Sequence, residues 1–126
     1  MKILVIDDDP STTELMKLIL ETDSRQVLVA NTAHEGIRLA LESIPDVVLL
    51  DMKMPELGGP GVCREIRKFS SVPIIILSAL NDPTMIAKVL DAGADNYLIK
   101  PVSSCMLLAH IQNLIQRVAV HAPINA

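Results

Sequence analysis

Five short apolar runs, rich in Ile, Val and Leu, alternate along this chain with stretches in which apolar residues follow helical spacing. The runs lie at residues 2–6, 26–30, 46–50, 73–77 and 96–99. Continuous apolar runs of this length are typical of strands that are buried on both faces. Helical spacing is clearest at Ala33, Ile37, Ala40, Leu41 and Ile44, and it returns between Leu107 and Val118. The alternation predicts an α/β fold with five parallel strands and five helices.

Capping signals support the same division into elements. Asp9 and Asp82 each precede a proline, a pattern that predicts an N-cap followed by Pro at the first helical position. Thr32 and Glu35 have the spacing of a capping box, and Gly93 is placed to end the fourth helix. We therefore predict a flavodoxin-like, three-layer, doubly wound (βα)5 fold with strand order 2-1-3-4-5. In such a sheet the functional crevice opens at the carboxyl ends of strands 1 and 3.

Length and hydrophobic content indicate one globular domain. The chain has 126 residues, of which 50% are hydrophobic, so it can bury a sizeable core. We expect the domain to span residues 1–119, with residues 120–126 a tail or the start of a linker to a further domain. Cys63 and Cys105 have no zinc-type spacing, and we expect both to be small buried hydrophobes.

Charge and aromatic content exclude several partners. The net charge is -4, there is no Lys/Arg cluster, and the aromatic residues make up 2% of the chain. Binding of nucleic acid to this domain is not expected, because both phosphate neutralisation and base stacking lack the necessary side chains. No apolar run approaches the length of about 20 residues that a membrane helix needs. Three aspartates follow the first apolar run, so it does not resemble a signal peptide, and we expect a cytoplasmic protein without membrane contact.

Acidic residues follow two of the central strands. Asp7, Asp8 and Asp9 come after the first run, and Asp51 follows the third. Carboxylates that meet at one rim of a sheet repel each other unless a cation lies among them, and oxygen ligands of this kind suit Mg²⁺. Asp9 is expected to serve as a helix cap instead. Its position makes Asp51 the best candidate for a nucleophile.

Two more polar residues follow the fourth and fifth predicted strands, and we expect them at the same edge of the sheet as the acidic residues. Ser78 comes after the fourth run, and Lys100 after the fifth. Either could be an ordinary turn or surface residue, but the shared edge brings the Lys100 ammonium towards the acidic group. Together these side chains predict a site for an anionic group held beside Mg²⁺.

Four segments, in order, resemble those of response-regulator receiver domains of two-component signalling. They are residues 3–10 (ILVIDDDP), 45–55 (PDVVLLDMKMP), 73–79 (PIIILSA) and 92–101 (AGADNYLIKP). Each segment alone is a modest signal, but all four at this spacing are highly specific. The resemblance covers nearly the whole chain.

The resemblance implies a function for each site residue. It implies that Asp51 accepts a phosphoryl group from a phosphohistidine on a sensor histidine kinase. It further implies that Asp8 and Asp51 bind Mg²⁺ directly, with the backbone carbonyl of Lys53, while Asp7 acts through water. By the same resemblance Ser78, Ala79 and Lys100 stabilise the phosphoryl group. The domain would be a signalling module that promotes its own phosphorylation and dephosphorylation, not an enzyme in the ordinary sense.

The resemblance also implies a switch. Ser78 would move its hydroxyl onto the phosphoryl group and Tyr97 would turn inwards, which changes the surface of the fourth helix, fifth strand and fifth helix. Tyr97 could instead simply fill the core. The family usually has a cis peptide at the position of Lys100 and Pro101. A homodimer through the switch surface stays open, because the fifth helix carries His110, Gln112, Asn113 and Gln116 where related receivers often carry basic residues.

Some features depart from the family pattern, and alternatives remain. The loop after Met54 has Gly58 where an acid is more usual, and Pro60 is expected to start the third helix. A degenerate receiver that binds a partner without phosphorylation is one alternative. An aspartate-nucleophile phosphatase is another, but such enzymes have a second aspartate two positions after the first, where this chain has Lys53.

Overall fold

The computed structural model describes the backbone of residues 1–121 and the side chains of residues 1–117. Strands and helices alternate in the order β1 (Lys2–Ile6), α1 (Pro10–Leu20), β2 (Gln26–Ala30), α2 (Ala33–Ser43), β3 (Val47–Asp51), α3 (Gly58–Arg67), β4 (Ile74–Ser78), α4 (Pro83–Asp91), β5 (Asn96–Ile99) and α5 (Ser104–His121). The five strands form one parallel sheet in the order β2-β1-β3-β4-β5. The predicted fold class and strand order are thereby confirmed.

The core has two halves, one on each face of the sheet. Alternate residues of a strand point to opposite faces, so Ile3 and Val5 pack on one side while Leu4 and Ile6 pack on the other. Helices α1 and α5 cover the first face through residues such as Leu20 and Ile111. The second face is covered by α2, α3 and α4, with buried side chains that include Ala40, Val62, Ile66 and Val89. This double covering explains why the strands are apolar throughout instead of alternating.

Two strands are shifted by one residue from the sequence prediction. Strands β3 and β4 begin and end one residue later than predicted, at Val47–Asp51 and Ile74–Ser78. Asp46 lies outside the strand, because its carboxylate accepts a hydrogen bond from the Lys2 backbone N–H at 2.7 Å. Pro73 has no N–H to donate to a ladder. Asp51 and Ser78 are therefore the last residues of their strands and not the first residues of the loops.

The predicted helix caps are present. The side chains of Asp9 and Asp82 accept hydrogen bonds from the backbone N–H groups of Ser11 and Thr84, each at 2.9 Å. Thr32 caps α2 by accepting a hydrogen bond from the Glu35 N–H at 3.1 Å.

Gly93 terminates α4 as predicted: the helix ends at Asp91, Ala92 is its C-cap, and Gly93 follows with φ +120°. The Gly93 and Ala94 N–H groups donate to the carbonyls of Leu90 and Val89, which is the Schellman pattern.

Three further expectations are corrected or limited. Helix α3 begins at Gly58, two residues before Pro60, because the Gly58 and Gly59 N–H groups donate to the carbonyls of Met54 and Met52. Cys63 is buried as expected, but Cys105 is exposed on α5. Of the predicted tail, residues 120 and 121 lie in α5, and residues 122–126 are outside the described part of the chain. Within that part, no helix combines the length and the apolar character needed to cross a membrane.

Candidate phosphoryl-acceptor site

Three carboxylates meet at the carboxyl ends of the two central strands. Asp7 and Asp8 directly follow β1, and Asp51 ends the neighbouring β3. One oxygen from each of the three lies within 4.8 Å of the others, close enough for all three to hold one metal ion. The Asp9 side chain instead caps α1 by accepting a hydrogen bond from the Ser11 N–H. The sequence prediction that Asp7, Asp8 and Asp51 converge, and that Asp9 does not join them, agrees with this arrangement.

The electrostatics of the cluster centre on Asp7. This side chain is buried, and desolvation raises the pKa of its carboxyl. A hydrogen bond from the Asp9 N–H to Asp7 Oδ1, at 2.9 Å, lowers the pKa, while the charge of Asp51 raises it and that of Lys100 lowers it. The net shift is upwards. Burial is therefore the main cause of the upward shift, and the charges of Asp51 and Asp8 add to it.

The residues present fit a hard divalent cation. All three side chains offer carboxylate oxygens, the donors that Mg²⁺ prefers, and Asp8 is exposed so that water can complete the coordination. Asp51 is half-buried, and Lys53 lies two residues further along, exposed in the loop between β3 and α3. Asp7, Asp8 and Asp51 together form an acidic pocket that suits Mg²⁺.

Lys100 supplies the positive charge of the site. Its Nζ lies 3.6 Å from Asp7 Oδ2 and 3.8 Å from Asp51 Oδ1. Its backbone N–H donates to the Ser78 carbonyl at 2.8 Å, which continues the pairing of β4 with β5 up to the rim. The Lys100–Pro101 peptide bond is cis. Lys100 is thus shared between two carboxylates and partly balances both.

Ser78 and Tyr97 are connected through one intervening residue. The Ser78 side chain is buried, and its Oγ accepts a hydrogen bond from the Leu80 N–H at 3.1 Å. The Tyr97 hydroxyl donates to the carbonyl of the same Leu80 at 2.8 Å, and its ring packs half-buried against the core face covered by α2, α3 and α4. The ring is thus part of the core, and the hydroxyl reaches the loop that follows Ser78, while the movement of Tyr97 as a switch stays a prediction. Ala79, which lies between Ser78 and Leu80 in the sequence, is exposed.

Sequence reasoning missed two residues beside the acidic cluster. Asn31 follows β2 and contacts the backbone of Asp7, and Thr13 of α1 contacts Asn31. The only signal for Asn31 was its place directly after the second apolar run, at the same edge of the sheet as the acids. Thr13 had no comparable signal, because a threonine inside a helix is an ordinary residue.

The comparisons with known proteins agree with this geometry. A family model described as the response regulator receiver domain matches residues 3–112. The chain belongs to this family. Among solved structures, the receiver domain resembles a response regulator receiver domain protein from Clostridium thermocellum, with 39% identity and a TM-score of 0.87 over 94% of this chain and 97% of that one. A CheY-like receiver domain protein from Methanospirillum hungatei is 28% identical, with a TM-score of 0.89 over 96% of this chain and 98% of that one.

Curated relatives of this receiver domain are named as regulators of transcription. The probable transcriptional regulator ycf27 of Guillardia theta is 41% identical over 92% of this chain and 46% of the relative. The transcriptional regulatory protein AfsQ1 of Streptomyces coelicolor is 36% identical over 91% of this chain and 51% of the relative. The chain spans about half the length of these relatives. These relatives therefore extend well beyond the segment that matches this receiver domain.

Proposed function

We propose that Asp51 accepts a phosphoryl group from a phosphohistidine of a sensor histidine kinase, in a reaction that depends on Mg²⁺. The observation that carries this proposal is the position of Asp51 Oδ1, which lies in the three-carboxylate cluster and 3.8 Å from the Lys100 ammonium. A half-buried carboxylate can act as a nucleophile, and the ammonium beside it can stabilise the negative charge of the phosphoryl group that is added.

The transfer exchanges one bond for another. An oxygen of the Asp51 carboxylate attacks the phosphorus, the P–N bond to the kinase imidazole breaks, and an acyl phosphate forms on Asp51. The imidazole nitrogen keeps the electron pair and takes up a proton. Lys100 pairs with the transferred oxygens, so that positioning and charge neutralisation provide most of the catalysis.

The metal would be held by the acidic loop and the end of β3. Asp8 and Asp51 would coordinate it directly with the backbone carbonyl of Lys53, and Asp7 would act through water. When bound, Mg²⁺ neutralises the carboxylates and the incoming phosphoryl oxygens. The Asp9 N–H donates to Asp7 Oδ1 and so orients the Asp7 carboxylate.

Ser78 and Tyr97 would change position in response to the phosphoryl group. Movement of the Ser78 hydroxyl onto a phosphoryl oxygen breaks its hydrogen bond with the Leu80 N–H, and the Leu80 carbonyl is the acceptor of Tyr97. Displacement of Leu80 would therefore move both the loop before α4 and the Tyr97 side chain on β5. The result is a changed surface on α4, β5 and α5, through which the domain controls its output or forms a homodimer.

An apolar groove supports a protein as the phosphoryl donor. An open groove of about 560 Å³ extends from Lys100 along α1 and α5, lined by Leu15, Ile19, Val102 and Leu107 among others. Leu15 is 55% exposed and Ile19 46% exposed, so the groove that begins at Lys100 presents a large apolar area to solvent. A helical kinase segment that covers these residues would place its phosphohistidine at Asp51. We place this exchange in the cytoplasm, and the output in transcription through a segment other than this domain.

The test is the intact mass of the protein after incubation with phosphoramidate, whose P–N bond stands in for that of phosphohistidine. The expected result is one phosphoryl adduct that requires Mg²⁺ and is absent when EDTA is added. Asp51→Asn should abolish it, and Asp23→Asn, a change in the exposed loop before β2, should not. Transfer from an autophosphorylated sensor kinase follows as the second stage.

Failure to form the adduct would overturn the proposal. If wild-type protein remains unmodified and also fails to bind beryllofluoride, the domain is a binding module that works without phosphorylation. If Asp51→Asn is still modified, the acceptor is another residue.

A further inference from the structure

Asn31 joins the end of β2 to the acidic loop. Its Nδ2 donates two hydrogen bonds, one to the backbone carbonyl of Asp7 at 2.9 Å and one to Thr13 Oγ1 at 3.0 Å. The backbone carbonyl of Asp7 can only accept, so the amide nitrogen of Asn31 must face it. The residue before Asn31 adds a further connection, because the Asp7 N–H donates to the carbonyl of Ala30 at 3.1 Å.

Thr13 extends this connection into α1. The side chain is 1% exposed, and its hydroxyl accepts from Asn31 and donates to the carbonyl of Pro10 at 3.1 Å. Because Pro10 is the first residue of α1, the Asn31 amide holds both ends of the segment that carries Asp8. Each of the two hydrogen bonds of this half-buried amide contributes to the stability of the loop, and the loss of either partner leaves a polar group without that bond.

We propose that Asn31 is a positioning residue for the metal: it holds the loop that carries Asp7 and Asp8 in the conformation that binds Mg²⁺. The inference rests on the metal site of the proposed function. The Asp7 carbonyl belongs to the peptide unit that leads to Asp8, so its hydrogen bond with Asn31 orients that peptide plane and the Cα of Asp8. Asp8 itself is exposed and depends on its backbone for its position.

A neutral amide is well suited to this task. The three carboxylates repel each other, and without a metal that repulsion favours opening of the loop that carries two of them. Asn31 opposes the opening without adding charge. Residues that orient ligands in this way commonly change metal affinity by about tenfold or more when they are removed.

The experiment is a titration of ¹⁵N-labelled protein with MgCl2, followed by the backbone amide signals of the acidic loop. Wild-type protein is compared with Asn31→Ala, Thr13→Val and Thr13→Ser. We expect Asn31→Ala to raise the Kd for Mg²⁺ by about tenfold. Thr13→Val, which removes the hydroxyl, should raise the Kd by a smaller factor, and Thr13→Ser, which keeps the hydroxyl, should restore it.

A neighbouring residue provides the control for stability. Thr32→Ala removes the cap of α2, which lowers the stability of the fold, but Thr32 makes no hydrogen bond with the acidic loop among the described contacts. Its Kd for Mg²⁺ should equal that of the wild type. An equal rise in Thr32→Ala and Asn31→Ala would show a general loss of structure and overturn the positioning role.

The remaining outcomes separate this inference from the proposed function. If wild-type protein binds Mg²⁺ and Asn31→Ala binds it with the same Kd, the role of Asn31 is wrong while the metal site stands. If the wild type shows no shifts with MgCl2, both the metal site and the inference fail. Asn31→Asp offers a second check, because a carboxylate cannot donate to the Asp7 carbonyl, and we expect that variant also to bind Mg²⁺ more weakly than the wild type.

Discussion

Lys100 Nζ lies 3.8 Å from Asp51 Oδ1, although Asp51 ends the middle strand of the sheet and Lys100 follows the strand at its edge. The lysine side chain therefore spans the end of β4 to reach the acceptor. Since the same ammonium lies 3.6 Å from Asp7 Oδ2, its charge is divided between two carboxylates in the unmodified protein. A phosphoryl group on Asp51 would compete with the Asp7 carboxylate for the Lys100 ammonium.

Removal of this ammonium should slow phosphorylation. We expect Lys100→Met to lower the initial rate of Asp51 phosphorylation by phosphoramidate about 100-fold, because a fixed positive partner for the developing charge is lost. The rate is measured by intact mass at saturating Mg²⁺. Lys88→Met, on the exposed side of α4, is the matched control and should react at the wild-type rate. An unchanged rate in Lys100→Met would mean that the lysine takes no part in the transfer.

The raised pKa of Asp7 predicts a pH-dependent stability. The folded protein binds the Asp7 proton more tightly than the unfolded chain, so the stability that this group contributes is lost as the pH rises from its ordinary value of 3.8 through the raised pKa. In EDTA at neutral pH, Asp7→Asn should therefore have a larger free energy of unfolding than the wild type. The difference should shrink as the pH falls towards 3.8.

Urea denaturation at several pH values checks this prediction. Asp91→Asn, at the exposed end of α4, is the control and should follow the wild-type profile. Addition of Mg²⁺ should stabilise the wild type at neutral pH, because an ion that binds only the folded protein favours folding and offsets the cost of burying the charged Asp7 carboxylate. A variant Asp7→Asn that is less stable than the wild type in EDTA at neutral pH would contradict this account of the cluster.

Arg67 should be important for stability although it lies far from the site. Its guanidinium donates to the carbonyls of Gly93, Ser70 and Val72 and to the Asp95 carboxylate, so it ties the end of α3 to the turn before β5. We expect Arg67→Ala to lower the free energy of unfolding by about 3 kcal/mol. Arg67→Lys should recover less than half of the loss, because one ammonium cannot reach these four acceptors.

An exposed arginine serves as the comparison in the same urea experiment. Arg38 pairs with Glu42 one turn along α2, with both side chains more than half exposed. Arg38→Ala should change the free energy of unfolding by less than about 0.5 kcal/mol. Equal losses in the two arginine variants would refute the idea that Arg67 joins the two segments.

The backbone conformation of Ile44 should lower the free energy of unfolding. It ends α2 with φ 50° and ψ 65°, a left-handed conformation that costs a branched side chain free energy, and its side chain is 79% exposed. We expect Ile44→Gly to raise the free energy of unfolding by about 1 kcal/mol. Ile44→Ala keeps the unfavourable conformation and should bring little gain. A loss of stability in Ile44→Gly would show that the isoleucine makes contacts that outweigh its strain.

Much of the molecule could be read from local sequence. Caps such as Asp9 and Asp82 need only the N–H groups two residues further along, and Gly93 needs only its own freedom at positive φ. The one-residue error at β3 arose because Asp46 bonds to Lys2, a partner on another strand. Cys105 was wrongly expected to be buried because that prediction used the general tendency of free cysteines to be buried. It did not use the place of Cys105 on α5, whose buried face is formed by Leu107, Ile111 and Leu114.

The sequence by itself determined the alternation of strands and helices, and with it the meeting of Asp7, Asp8, Asp51 and Lys100 at one edge, because the carboxyl ends of parallel strands lie together. Only the tertiary structure decided which side chains hold those groups in place. The bond from Asn31 to Asp7 and the bonds from Arg67 to the turn before β5 join segments that are distant in sequence. Their formation depends on how close the packed core brings two backbones, a distance that no local pattern encodes.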